Sequence, residues 1–222
     1  MSASLRTAVS PSSARGLVRV AATIVVGIVF SVGTTPCVAA AAPAASGLTV
    51  GQVSANGPGC RKGSAVVQVT DDGLGFDIGY SAFRVQAPAA VDAPSTVNCT
   101  VTLEIIPAVR KEYALSSIVQ TGLTRRTPGA SAALRSSVYF NGTREPEPIE
   151  NVDFGPDDDN YNRFEFEENR IDLVWSKCNQ HKLLNYSLIA AVSAPANGSA
   201  EAQLDSTHGG ILRFAVRDCG KA

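Results

Sequence analysis

The chain is poor in several things at once. Its 222 residues include one Trp, one Met, two His and 6% aromatics, and only 18% are charged. The formal net charge is −1, so the basic surface that phosphate neutralisation along a nucleic acid demands is missing. Gly73-Leu74-Gly75 lacks a third glycine and a following helix pattern, which excludes a dinucleotide-binding loop. No cysteine pair has C-x2-C spacing, and His181 and His208 stand outside any repeating ligand pattern, which disfavours zinc. There is no G-x-S-x-G elbow, and Ser176-Lys177 is adjacent where a Ser/Lys catalytic pair needs S-x-x-K.

Long apolar runs are missing beyond the N-terminus. Residues 1–42 hold 24 apolar residues, three arginines (Arg6, Arg15, Arg19) and no acid. A positive stretch leads into an apolar run from Val20 to Val32 and then into the small residues Val38-Ala39-Ala40-Ala41-Ala42, which is the order of a secretory signal. The run is short of the roughly 20 residues that span a bilayer, and Pro36 stands where a lipobox at Cys37 would want Gly or Ala. The expectation is a cleaved signal peptide over 1–42, an N-terminal tether over 43–54 and a single domain over 55–220. Such a protein is secreted, with no membrane span in its mature chain.

Removal of residues 1–42 takes three of 19 bases and leaves 16 against 20 acids, a net charge of −4. It also removes Cys37. Cys60, Cys99, Cys178 and Cys219 remain, an even number in an exported chain, where oxidised pairs persist. Four cysteines allow three connectivities. Pairing Cys60 with Cys99 and Cys178 with Cys219 is preferred, since each closes a loop of about 40 residues and constrains the unfolded chain by roughly 3–4 kcal/mol.

The remaining periodicity is that of strands, alternating at two residues. Val67 and Val69, then Leu74, Phe76, Ile78 and Tyr80, alternate on either side of Asp71-Asp72-Gly73, a hairpin signal. Val97, Cys99, Val101, Leu103 and Ile105 share one face of another strand. Further strands are expected at 83–86, 113–123, 134–140, 161–166, 171–175, 183–192 and 210–216, with loops at 87–96 and 194–202. About nine or ten strands separated by Gly, Pro, Asn and Asp predict an all-β, two-sheet sandwich or jelly roll.

These landmarks resemble a secreted family known as domain of unknown function 4360. The matching residues are Gly59-Cys60-x-x-Gly63, the Asp71-Asp72-Gly73 turn, Asn98-Cys99, Ser137-x-Tyr139-Phe140 and Val174-Trp175-Ser176-x-Cys178, over about 55–192. Where that family has Ser-Pro-Cys after the Trp, this chain has Ser176-Lys177-Cys178, and Thr121-Gly122-Leu123 replaces its basic-Gly-Tyr element. The resemblance implies a secreted, cysteine-paired, β-rich protein and no particular reaction.

Charge is concentrated. Residues 145–172 carry eleven of the twenty acids against two bases, so a segment near −9 sits on a body near +5. Asp157, Asp159, Asn160 and Asn162 crowd one loop and are candidate oxygen ligands for calcium. The EF-hand register fails, because Tyr161 and Asn162 occupy the fifth and sixth positions. Glu165 and Glu167 project from one face of a strand, and paired carboxylates are glycosidase equipment; the competing expectation is a polar outer face with Phe164 and Phe166 behind it. Trp175 is expected to pack against a disulfide. Tyr139, Tyr161 and Tyr186 are candidates for a sugar-stacking platform.

The functional expectation is a non-catalytic, secreted binding module whose partner is a cell-surface polysaccharide or a protein, held through a loop at one end of the sandwich. The alternative is an extracellular hydrolase using carboxylates of the 150–172 segment.

Overall fold

The computed structural model describes residues 47–87, 95–141, 149–151, 154 and 160–220, all within one unit, Ala41–Ala222. Twelve strands make up the described secondary structure: β1 Leu48–Asn56, β2 Ala65–Val69, β3 Gly75–Tyr80, β4 Arg84–Ala87, β5 Ser95–Pro107, β6 Lys111–Arg126, β7 Ser131–Phe140, β8 Ile149–Asn151, β9 Asn162–Asn169, β10 Lys182–Ser193, β11 Ala200–Leu204 and β12 Gly210–Asp218. They form two antiparallel sheets. Sheet A has the order β1-β5-β10-β7-β8, and sheet B contains β2, β3, β4, β6, β9, β11 and β12.

The register of sheet B shows that its seven strands occupy fewer tracks. β12 and β11 pair with successive halves of β6, Asp218 to Gly210 opposite Lys111–Gln120 and Leu204 to Ala200 opposite Gly122–Arg126. They are one track interrupted by residues 205–209 opposite Thr121. β3 and β4 pair in turn with β12 and β11 and are interrupted at residues 81–83. Both tracks therefore break at the same level. The break is held by Tyr80 N–H to Asp205 O at 3.1 Å, Leu204 N–H to Phe83 O at 3.1 Å and Asp205 N–H to Thr121 O at 3.0 Å.

The core lies between the sheets. Alternation buries Val97, Val101, Leu103 and Ile105 of β5 and Leu184, Tyr186 and Leu188 of β10 against Phe76 and Ile78 of β3 and Leu212 and Phe214 of β12. An irregularity opposite Arg213/Phe214 gives β6 one extra residue, Ser116. The inward set accordingly shifts from Tyr113 and Leu115 to Ile118, Gln120, Gly122 and Thr124. Phe164 and Phe166 of β9 face inward and meet Phe154 at 4.9 and 5.3 Å between ring centroids.

The two disulfides are Cys60–Cys99 and Cys178–Cys219, with Cα separations of 5.3 and 5.4 Å. The hairpin at Asp71-Asp72-Gly73 is present, with Gly73 at φ 69° and the Asp72 carboxylate accepting from Thr70 Oγ1 and Leu74 N–H.

Four expectations are corrected. Residues 48–54, assigned to the tether, belong to β1, because their backbone pairs with β5 although their side chains are mostly exposed. The loop at 194–202 is shorter, since Ala200 starts β11. Residues 171–175 are not a strand: Arg170 N–H reaches Ser116 O and Ser176 N–H reaches Tyr113 O, so six residues span a length of β6 that three would match. Ile171 and Val174 are pushed into solvent, 95% and 77% exposed. Trp175 is half-buried beneath the Arg217 guanidinium, 4.0 Å from its ring centre. The nearby disulfide lies toward the surface, with Cys178 exposed and Cys219 half-buried, so Trp175 is not the core residue of a buried Trp–disulfide pair.

Candidate functional site

The outward face of sheet B collects most of the chemically capable side chains. Residues opposite each other in an antiparallel pair share a face. One row is therefore Gln86, Glu201 and Arg125; the next is Arg84, Gln203, Leu123 and Arg163. Beyond the break run Gln68, Asp77, Ile211, Val119 and Glu167.

Glu201 anchors the first row. Its side chain is only 3% exposed, with Arg84 Nε 2.5 Å from Oε1 and Arg125 Nη2 3.8 Å from Oε2. Gln86 Nε2 and the Tyr161 hydroxyl each donate to Oε2 at 2.9 Å. Burial pushes the Glu201 carboxyl up, but the hydrogen bonds from Arg84, Gln86 and Tyr161 outweigh it and hold the group below the usual range. Tyr161 is thereby fixed at both ends, its hydroxyl on Glu201 and its ring under the Arg125 guanidinium at 5.0 Å. Tyr161 as a whole remains 47% exposed.

Two hollows open on this face, one at the break and one beside it. One, of about 290 Å³, lies between Phe83, Arg84, Leu123, Gln203, Leu204 and Asp205. The Asp205 carboxylate stiffens its rim by accepting from Thr207 N–H and Thr207 Oγ1, each at 2.8 Å, and from His208 N–H at 3.3 Å, while Oδ2 lies 3.5 Å from Arg163. The backbone hydrogen bond from Thr207 leads the causes that lower its pKa. The other hollow is a groove of about 540 Å³ along Gln68, Asp77, His208, Ile211 and Arg213. Within it His208 Nδ1 pairs with Asp77 Oδ2, and the ring is 60% exposed.

The sequence candidates disperse. Glu165 and Glu167 are exposed on this same face, opposite Thr121 and Val119, with Phe164 buried and Phe166 half-buried behind them. Of the calcium candidates, Asp157 and Asp159 lie outside the described residues; Asn160 and Asn162 lie beside each other, with Asn162 Nδ2 donating to the Asn160 carbonyl at 3.3 Å. Among the described residues no group of three or more His, Cys, Asp or Glu side chains is placed to hold a metal. The expected signal peptide over 1–42 also lies outside the described residues, and no described helix is long and apolar enough to cross a membrane. Of the three tyrosines, only Tyr161 joins the Glu201 cluster: Tyr186 is buried in the core, and Tyr139 is half-buried on β7 of sheet A. Arg84, Gln86, Arg125, Glu201, Gln203 and the Asp77–His208 pair had no local motif to reveal them.

A model of the family described as Domain of unknown function (DUF4360) matches residues 46–219. The chain belongs to the DUF4360 family. The match begins ahead of β1, in keeping with that strand being part of the fold. No curated protein matches this DUF4360 chain. Among solved structures it is similar to the carbohydrate-binding module TmCBM61, solved in complex with β-1,4-galactotriose, at 12% identity and TM-score 0.25, covering 75% of this chain and 88% of that one. It is also similar to the enzymatically active domain of bacteriophage CBA120 tailspike protein 4, at 10% identity and TM-score 0.29, covering 77% of this chain and 19% of that one. At such TM-scores neither likeness bears on function.

Proposed function

We propose that this DUF4360 protein is exported and acts outside the cell as a non-catalytic binding module, docking cell-surface polysaccharide on the outer face of sheet B. The observation that carries the reading is Tyr161, an exposed ring immobilised by a buried carboxylate and a stacked arginine. A ring held this way offers an apolar plane at little entropic cost. Around it, Arg84, Gln86 and Gln203 supply donors and acceptors of the kind that read sugar hydroxyls. The two disulfides and the signal-like N-terminus support export.

The test is retention of purified protein on insoluble cell-wall polysaccharide, with released reducing ends assayed in the same samples. Tyr161→Ala is expected to lower retention at least tenfold with an unchanged circular dichroism spectrum. Equal retention of Tyr161→Ala would remove the platform. Steady release of reducing ends, lost in Glu165→Gln/Glu167→Gln, would establish the hydrolase alternative instead.

A further inference from the structure

We propose that the break in sheet B is a subsite for one ring of an uncharged polysaccharide. The inference rests on the platform reading above and adds the class of glycan and a place for one of its units.

The first argument is shape. The hollow at the break, about 290 Å³, lies at the small end of the roughly 300–1,000 Å³ typical of ligand pockets. Phe83, Leu123 and Leu204 give it apolar walls, while Arg84, Gln203 and Asp205 give it a polar rim. A pyranose ring has the same division, with C–H faces and a hydroxyl edge. Arg84 belongs both to this rim and to the Glu201 cluster that fixes Tyr161, so a chain lying on the platform continues into the hollow.

The second argument is charge. The cations bordering the hollow are already engaged: Arg84 and Arg125 with Glu201, and Arg163 with Asp205. His208, across the break, faces Asp77. A carboxylate, sulfate or phosphate on the ligand would have to compete with these internal partners. It would also meet Glu165 and Glu167, which are exposed on the adjacent strand of the same face. Neutral hydroxyls face no such competition, because an ion-paired arginine still presents N–H groups and its carboxylate partner still presents lone pairs.

The third argument is rigidity. The rim segment is tied by the three hydrogen bonds to Asp205 Oδ1 and by Thr121 Oγ1 donating to the His208 carbonyl. A site ordered before the ligand arrives loses less entropy on binding.

The experiment is affinity electrophoresis of the disulfide-bonded protein at 0.15 M salt. The gels contain β-glucan, arabinoxylan or galactomannan as uncharged polymers, polygalacturonate as the anionic one and chitosan as the cationic one. Retardation by at least one uncharged polymer and by neither charged one is expected. Ala82→Trp and Ser206→Trp change exposed residues that border the hollow, and either should weaken that retardation at least tenfold with an unchanged melting temperature. Retardation by polygalacturonate or chitosan that Tyr161→Ala abolishes would overturn the uncharged class while leaving the platform intact. Undiminished retardation of both Trp variants would overturn the subsite alone. Retardation by none of the polymers would overturn the platform reading and this inference together.

Discussion

The side-chain amide of Gln120, on the long strand β6, donates to the hydroxyl oxygen of Tyr186 on β10 at 3.0 Å, joining the two sheets through the middle of the core. Both residues are at most 2% exposed. Tyr186→Phe removes the acceptor and is expected to cost about 1–2 kcal/mol. Urea unfolding should register this as a lower midpoint at an unchanged slope.

Glu201→Gln keeps the shape of the anchor and deletes its charge. Arg84 and Arg125 then crowd each other without a counterion. Removing one partner of a buried pair costs about 3–5 kcal/mol. Both arginines are partly solvated, 50% and 36% exposed, so a loss of about 2 kcal/mol is expected here. Glycan retention should fall with it, because the Tyr161 hydroxyl loses its charged acceptor; denaturation and retention measured on one preparation check both.

Stability should decline in acid. Glu201 and Asp205 have folded pKa values below their ordinary 4.5 and 3.8. The unfolded chain therefore binds more protons than the folded one just below pH 4.5, and stability rises with pH through that window. It is fully present above the ordinary values and is lost as pH falls through the lowered ones. Melting temperatures between pH 7 and pH 3 should show a plateau followed by a fall, and Glu201→Gln should flatten the fall.

Gly122 lies where β9 and β11 approach β6 from opposite sides. A Cβ there would stand 2.2 Å from the Gln203 carbonyl oxygen and 2.6 Å from the Phe164 ring. Gly122→Ala is expected to cost about 1–3 kcal/mol through overpacking, seen as a lower melting temperature.

The two disulfides should differ in access. Cys60 and Cys99 are each 1% exposed, whereas Cys178 is exposed. Brief treatment with a mild reductant and an alkylating agent should label Cys178 and Cys219 first, as peptide mass spectrometry would show.

Much of the frame was legible because alternation in β3, β5 and β10 coincides with burial, and because a turn signal separates β2 from β3. β1 was illegible: its pairing is carried by backbone groups, an irregularity between Val50 and Val53 spoils its period, and most of its side chains are exposed. β11 was hidden behind Ala, Pro and Gly, although Ala200-Glu201-Ala202-Gln203-Leu204 does alternate. The segment 171–175 misled for the opposite reason, since its alternation has no partner strand in register. The platform could not be read locally at all. Arg84 and Glu201 lie 117 positions apart in sequence and meet only through the registers of β4 and β11. Tyr161 was visible as an aromatic, but its hold on Glu201 depends on that same folding.

Residues 81–83 and 205–209 leave their tracks at one level, while the strands on either side of them stay paired. On the binding reading proposed above, this separates the part of the chain that sets the architecture from the part that sets selectivity. Replacements at the exposed rim residues Ser81, Ala82 and Ser206 are expected to alter the hollow without shifting a register elsewhere. On that reading one sandwich can be refitted to different ligands by editing a few positions in two short segments, which makes the break the natural place to graft new specificity onto this fold.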